Sequence, residues 1–347
     1  MFSGVEMDIV NLKDANQYVE VEAYLAQFGL TFDQGVEYTV NFRQAGKIVG
    51  TGSFEGGILR NIALDKSMRG SGLVSTIVTA LMQEQARRGR FHYFVFTKPC
   101  TSRAFEKLGF TEIVRAEPYV SLLETGIGSV AVYCDRIEKS IAHPKGERGA
   151  VVVNGNPFTK GHRALIQQAS MENDMVIVFV VREERTLLPF VDRLKLVREG
   201  VSDMDNVTVV PGSKYFISPV TFPAYFLRED DKAAAQARLD SILFATQIAP
   251  RLGIKKRYIG EEPYCPVTNA YNQAMLDILP DYGISVKIMN RLLVDGEMIS
   301  SSRVRHLIQQ GVWNDIKKLV PDRTYDYLTS AVTKVAVDRD LILASPY

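Results

Sequence analysis

The chain has 347 residues, 46% of them hydrophobic, with 41 Lys and Arg against 40 Asp and Glu. That length points to about two domains, and the balanced charge leaves no basic excess for a nucleic-acid surface. The opening MFSGVEMDIV has no cationic segment followed by an apolar one, and the longest apolar run, Met175 to Val181, is far short of a bilayer span, so a cytoplasmic protein without a membrane segment is expected.

In chain order, residues 36–64 alternate apolar and polar positions around glycine turns, as antiparallel strands do. From Gly72 to Arg88, Leu73, Ile77, Leu81 and Met82 recur at helical spacing and predict a helix with a core-facing stripe; His92 to Phe96 then reads as a strand. The stretch RNIALDKSMRGSGLV, residues 60–74, resembles the acetyl-CoA-binding turn of the GNAT acetyltransferases. In that family Arg-x-x-Gly-x-Gly/Ala leads into a helix whose N–H groups hold the CoA pyrophosphate. Arg69, Gly72 and Val74 occupy those positions, so a bulky residue stands where a small one is usual. Further on, Ala104-Phe-Glu-Lys-Leu-Gly-Phe110 resembles the family's closing segment, with Phe105 where many members carry a tyrosine acid. The resemblance covers residues 1–130 and implies a GNAT-like α+β domain over 1–142. With the proton donor for a leaving thiolate missing, it does not imply an independent acetyltransferase.

His143-Pro-Lys-Gly-Glu-Arg-Gly149 is polar and rich in helix breakers and reads as a linker. Beyond it the pattern changes. Strand-like runs at 150–154, 175–181, 207–210, 257–260 and 284–289 alternate with helical stretches at 160–172, 190–200, 232–248 and 302–310. That order predicts a Rossmann-like, doubly wound α/β domain with a parallel sheet over 150–347. Three scattered cysteines, Cys100, Cys134 and Cys265, form no ligand pair, and no residue is read as a metal ligand.

Ligands of open parallel sheets sit outside the carboxyl ends of the strands. VVVNGNPFTKGH, residues 151–162, ends its strand there, and the helix that follows offers unpaired N–H groups and a positive dipole end, an anion site. Thr159 and His162 lie three apart and can face one ligand from the first turn, while Gly161 permits close approach. Asn154, Asn156, Phe158 and Lys160 complete the candidate binding segment. The bland reading is an N-capped helix with His162 on its surface. Residues 299–305, ISSSRVR, again open a helix: Ser300, Ser301 and Ser302 with Arg305 describe a polyphosphate clamp, or ordinary capping with solvent-facing arginines. Arg303 points elsewhere on the helix.

Thr-x-Gly-His after a first strand, with Ile-Ser-Ser-Ser-x-x-Arg late in the same domain, resembles the nucleotidyltransferase superfamily, with Thr159 replacing the first histidine of the commoner His-x-Gly-His. The resemblance implies attack on the α-phosphate of a nucleoside triphosphate and loss of pyrophosphate. His162 would steady the α-phosphate, Thr159 would assist, and Ser301, Ser302 and Arg305 would hold the leaving phosphates. NGNPFTKGH, SPVTFPAYFLRED (218–230) and GEEPYCPVTNAYN (260–272) together look like the citrate lyase ligase family over residues 148 to about 330. That family implies ATP with Mg²⁺, acetate, and the prosthetic-group thiol of the acyl carrier subunit of citrate lyase. It also implies a role for Gly260, Glu261, Glu262, Tyr264, Thr268, Asn269 and Tyr271 along the adenine or carrier side of the cleft. A turn built by Pro263 and Pro266 explains the same stretch without function. The acetate site is not readable, since Ser218, Thr221 and Arg228 are only neighbours of a family stretch. The GNAT-like domain is expected to receive a CoA-like arm of the carrier. Two other readings are an adenylyltransferase that makes a dinucleotide-type cofactor and a GNAT acetyltransferase with a regulatory nucleotide-binding half.

Overall fold

The computed structural model describes residues 4–33, 35–141, 146–183, 186–218, 222–262 and 266–332. Two compact units emerge from the packing: residues 1–129 with 223–235, and residues 130–222 with 236–347.

The first unit is built on a seven-stranded sheet of order β1-β2-β3-β4-β5-β7-β6. Its strands are β1 (Val5–Ile9), β2 (Tyr38–Gln44), β3 (Lys47–Glu55), β4 (Ile58–Leu64), β5 (His92–Thr97), β6 (Thr111–Ala116) and β7 (Val120–Gly126). All neighbours are antiparallel except β4 and β5. Helix α1 (Ala15–Ala26) precedes β2, α2 (Leu73–Arg87) joins β4 to β5, and α3 (Ser102–Glu106) precedes β6. Of the expected stripe, Leu73, Ile77 and Leu81 are fully buried in one core with Val40, Phe54 and Leu59 of the sheet, and Met82 packs against it partly buried. Strand and helix meet closely: a Cβ at Gly52 would fall 2.5 Å from Ile77, so only glycine fits there. Gly72 caps α2 in the left-handed region, with φ 87°. Phe105 is buried edge-on to Phe110 at 6.0 Å, a packing position. This is the GNAT-like arrangement that residues 60–110 suggested.

The second unit carries a five-stranded, wholly parallel sheet of order β10-β9-β8-β11-β12. Its strands are β8 (Arg148–Val153), β9 (Met175–Val180), β10 (Val207–Pro211), β11 (Ile254–Gly260) and β12 (Ser285–Met289). β9 reads MVIVFV and every residue of it is buried, as expected of an inner strand covered on both faces. Six further helices precede or follow these strands: α4 (Val130–Ser140), α5 (Lys160–Met171), α6 (Phe190–Gly200), α7 (Lys232–Leu243), α8 (Pro266–Ile278) and α9 (Ser301–Gln310). Two short strands, β13 (Leu293–Val294) and β14 (Glu297–Met298), form a hairpin before α9, and α10 (Trp313–Leu319) and α11 (Asp322–Val332) follow it. Leu165 and Ile166 of α5 share one core with Val304 and Ile308 of α9. β8 starts inside the stretch read as a linker, of which His143, Pro144 and Lys145 lie outside the described residues. No helix among the described residues is long and apolar enough to cross a membrane.

The strand order reverses direction between β8 and β11. From β8 the chain winds outward through β9 and β10, and then returns to β11 and β12 on the other side. The loops after Val153 and Gly260 therefore flank the crevice where such sheets bind ligands.

Candidate active site

Beyond β8, Thr159 is the N-cap of α5, with extended backbone, and its hydroxyl accepts the His162 N–H at 3.3 Å. The imidazole closes a capping box: Nδ1 accepts the Thr159 N–H at 3.1 Å and lies 3.0 Å from the Thr159 hydroxyl. A backbone N–H only donates, so Nδ1 is the acceptor and the neutral ring carries its proton on Nε2. Nε2 has no protein partner among the described residues and is free to donate. Phe158, fully buried, stacks behind the ring at 5.7 Å and 12°. A ligand cannot reach the Phe158 ring, so the side chain supports the imidazole instead of contacting nucleotide.

Burial, aided by the Arg291 charge, pushes the His162 ring down to about 4 from an ordinary value near 6.5. At neutral pH the site presents a neutral donor. Between pH 4 and 6.5 the unfolded chain binds a proton here that the folded chain does not, so this group's stabilising contribution is complete above 6.5 and lost toward 4. Lowering the pH from 7 to 5 should cost the wild type roughly 2 kcal/mol more than His162→Asn. Denaturant melts at both values measure this, and equal losses would mean that the ring titrates as it does in water.

The second helix start is tied to the same loop. Ser300 caps α9 by accepting the Arg303 N–H at 3.1 Å, Ser301 Oγ donates to the Pro157 carbonyl at 3.0 Å, and Arg305 donates through Nη1 to the Asn156 carbonyl at 2.8 Å. Arg305 Nη2 also donates to Ser302 Oγ at 3.0 Å. Thus ISSSRVR and NGNPFTKGH, about 140 residues apart in sequence, lie against one another. In both helices the N–H groups ahead of the capped one have no partner within the helix. A Cβ at Gly161 would meet Thr159 Oγ1 at 3.5 Å and Ile299 at 3.6 Å, ordinary contacts. The protein itself does not demand glycine there. Burial lowers Arg305 to about 10, an effect opposed by the Glu183 charge, so the guanidinium stays protonated at neutral pH.

Other expected residues divide by what they touch. Asn154 and Asn156 lock the loop: fully buried Arg193 donates to the Asn154 carbonyl at 2.6 Å and to Asn154 Oδ1 at 2.7 Å, and Asn156 Oδ1 accepts the Leu188 N–H at 3.1 Å. Asn156 Nδ2 is buried without a partner among the described residues. Lys160 Nζ donates to the Lys317 carbonyl of α10 at 3.2 Å. Arg303 turns to the hairpin and pairs with Glu297 at 2.7 Å. Gly260 ends β11 and its carbonyl accepts Asn272 Nδ2 at 3.0 Å; exposed Glu261 follows it. Thr268 is half-buried and Asn269 exposed in the first turn of α8, whereas the Tyr271 hydroxyl is engaged by Asp240 of α7. Tyr264 and Thr221 lie outside the described residues; Arg228 belongs to the first unit.

Three residues were missed from sequence. Arg291, after β12, donates to the Glu261 carbonyl at 2.7 Å, pairs with Glu262 and reaches the Ile299 carbonyl at 3.4 Å, bringing positive charge beside His162. Glu183, after β9, is buried, and burial raises its carboxyl although Arg193, Ser218 and Arg305 oppose the shift. Arg193 braces three loop carbonyls besides that of Asn154: Leu188, Val181 and Glu183. The signal available was position, since Glu183 and Arg291 both lie just past strand carboxyl ends.

Two capped helix starts thus meet at the switch-point loop of a parallel α/β unit, in a chain that also carries a GNAT-like sheet. A family model described as the citrate lyase ligase C-terminal domain matches residues 148–328. A citrate (pro-3S)-lyase ligase of Klebsiella pneumoniae is 36% identical over 325 residues, covering 91% of this chain and 94% of that protein. Its counterpart in Escherichia coli strain K12 is 34% identical over 334 residues, covering 94% and 95%. The chain belongs to the citrate lyase ligase family.

Proposed function

We propose that the enzyme uses ATP to join acetate to the prosthetic-group thiol on the acyl carrier subunit of citrate lyase. A carboxylate is a poor acyl donor, and adenylation supplies a leaving group. An acetate oxygen attacks the α-phosphorus, and the bond to the bridging oxygen of the β-phosphate breaks with loss of pyrophosphate. The carrier thiolate then attacks the acyl carbon, the C–O bond to phosphate breaks, and AMP leaves. Acetate itself is the nucleophile at phosphorus, so no serine or cysteine of the chain is needed.

His162 donates from Nε2 to the α-phosphate as charge gathers there, with Thr159 fixing the ring. Ser301, Ser302, Arg305 and the open N–H groups of α9 hold the leaving phosphates, Gly161 lets the triphosphate approach the start of α5, and Lys160 lies beside it. Asn154, Asn156 and Phe158 shape the loop, and Gly260 and Glu261 flank the base. No group of three or more His, Cys, Asp or Glu side chains able to hold a metal occurs among the described residues. Mg²⁺ would be carried by the phosphate oxygens and water and would neutralise developing charge there. The first unit receives the carrier's pantetheine-like arm.

The reading is carried by one observation, the bonds from Ser301 and Arg305 to the loop that presents His162. Its test is exchange of labelled pyrophosphate into ATP. Acetate alone should support exchange. A requirement for a phosphorylated acceptor would indicate a dinucleotide-forming adenylyltransferase, and no exchange at all would leave the second unit a regulatory nucleotide binder.

A further inference from the structure

Strand β11 of the second unit carries an arginine that its surroundings leave unsatisfied. Arg257 is 4% exposed, and its Nε and Nη1 have no hydrogen-bond partner among the described residues. The Phe244 ring covers one face of the guanidinium, 4.7 Å from its central carbon. Ser241 of α7 is also buried, with its hydroxyl unpartnered among the described residues. The adjacent Asp240 does not supply what Arg257 lacks. Its Oδ1 accepts the Ile217 N–H at 2.7 Å, the Tyr271 hydroxyl holds Oδ2, and burial raises the carboxyl, which weakens it as a counter-ion.

Arg257 and Ser241 line one narrow space with Tyr271, Phe244, Met275 and Leu279. A guanidinium only donates, so its missing partner is an acceptor, and burial of the cation calls for a negative one. The other walls are largely apolar. A phosphate would press its remaining oxygens against Phe244, Met275 and Leu279, whereas a short carboxylic acid matches both halves of the space. We propose that Arg257 and Ser241 form a binding site for a small monocarboxylate of the acetate class, its carboxylate on the guanidinium and hydroxyl and its methyl against Met275 and Leu279. The space is about 150 Å³ and too tight as it stands to hold water. Entry therefore moves a wall, and the unbranched, flexible Met275 is the side chain suited to yield. Beside it α7 opens into the π turn Phe244–Ile248, a feature frequent at functional sites. The inference rests on the reading that acetate is the acid activated, and β11 ends at Gly260, on the crevice.

Acetate is the probe, in two measurements on the full chain: an NMR titration with ¹³C-labelled acetate, and the KM for acetate in pyrophosphate exchange. Arg257→Met replaces a lone buried cation with an apolar chain of similar reach, a change that proteins often tolerate. It should weaken acetate binding and raise the acetate KM at least twentyfold, with the KM for ATP unmoved. Folded Arg257→Met with both acetate constants unchanged overturns the site. Should that variant not fold, Ser241→Ala decides: a threefold or larger rise supports the site, and a flat result overturns it. Absence of exchange from wild type would remove the adenylation reading, yet acetate binding that depends on Arg257 would still support the site. Normal exchange with unmoved acetate constants sinks the site alone.

Discussion

His162→Ala lowers acetate-dependent pyrophosphate exchange at least a hundredfold and leaves the protein folded. The ring has two jobs with separable energies. As part of the capping box, Nδ1 accepts one backbone N–H, and losing a cap interaction costs about 1 kcal/mol of stability. In its proposed role as a donor to phosphorus-bound oxygen, Nε2 would act on charge that grows only during attack, and removal of one such donor commonly costs ~3 kcal/mol of activation energy. The turnover number should therefore fall while the KM for ATP stays near its wild-type value, the pattern of an interaction made in the transition state. Thr159 still caps the helix in the variant, so the melting temperature moves by only a few degrees. His162→Gln, which carries an N–H donor, should recover part of the rate. A drop of two- or threefold would leave His162 with its capping role alone.

The pair Thr159 and His162 was legible because a helix start has its own sequence grammar. A cap residue, a glycine and a residue three positions on follow a strand that ends in Asn-Gly-Asn-Pro. Arg305 was legible for the same reason, standing three past Ser302. What spacing within one segment cannot supply is the partner from another segment. Arg291 and Glu183 sit in loops after different strands, and only the fold brings their charges to His162 and Arg305. The fold itself was readable where burial is one- or two-sided and regular, as in β9 and α2. Helix α8 escaped because Pro263 and Pro266 suggested a turn, yet Pro266 is the first residue of the helix, where a proline lacks no needed donor. Helix α1 escaped because its stripe is narrow: Val21, Tyr24 and Leu25 are buried while Val19 is exposed. The run at 232–248 was read as one helix; it is α-helical to Leu243 and widens into a π turn over Phe244–Ile248. Insertion of Pro223–Ala235 into the first unit had no sequence signal, since its bonds to Thr31 and Phe96 link residues over 125 positions apart.

Arg305→Lys separates phosphate binding from the brace between the two helix starts. The guanidinium is buried and uses two nitrogens at once, one on the Asn156 carbonyl at 2.8 Å and one on Ser302 Oγ at 3.0 Å. Lysine keeps the charge but presents it as a single point, and cannot hold both acceptors with a fork. Breaking buried charged contacts commonly costs a few kcal/mol, so the variant should melt several degrees lower than wild type. A residue that only tied α9 to the loop would show that loss together with a lower turnover number. A residue that also grips the leaving phosphates adds a signature of its own: the KM for pyrophosphate in the exchange reaction rises at least tenfold. On the proposed reading His162→Ala should leave that constant alone, because its donor would face the α-phosphate, which stays with the nucleotide. The contrast between the two variants is the informative result. Should Arg305→Lys reduce turnover with pyrophosphate KM unmoved, the guanidinium is a brace, and the pyrophosphate must be held by the serines and N–H groups of α9 without it.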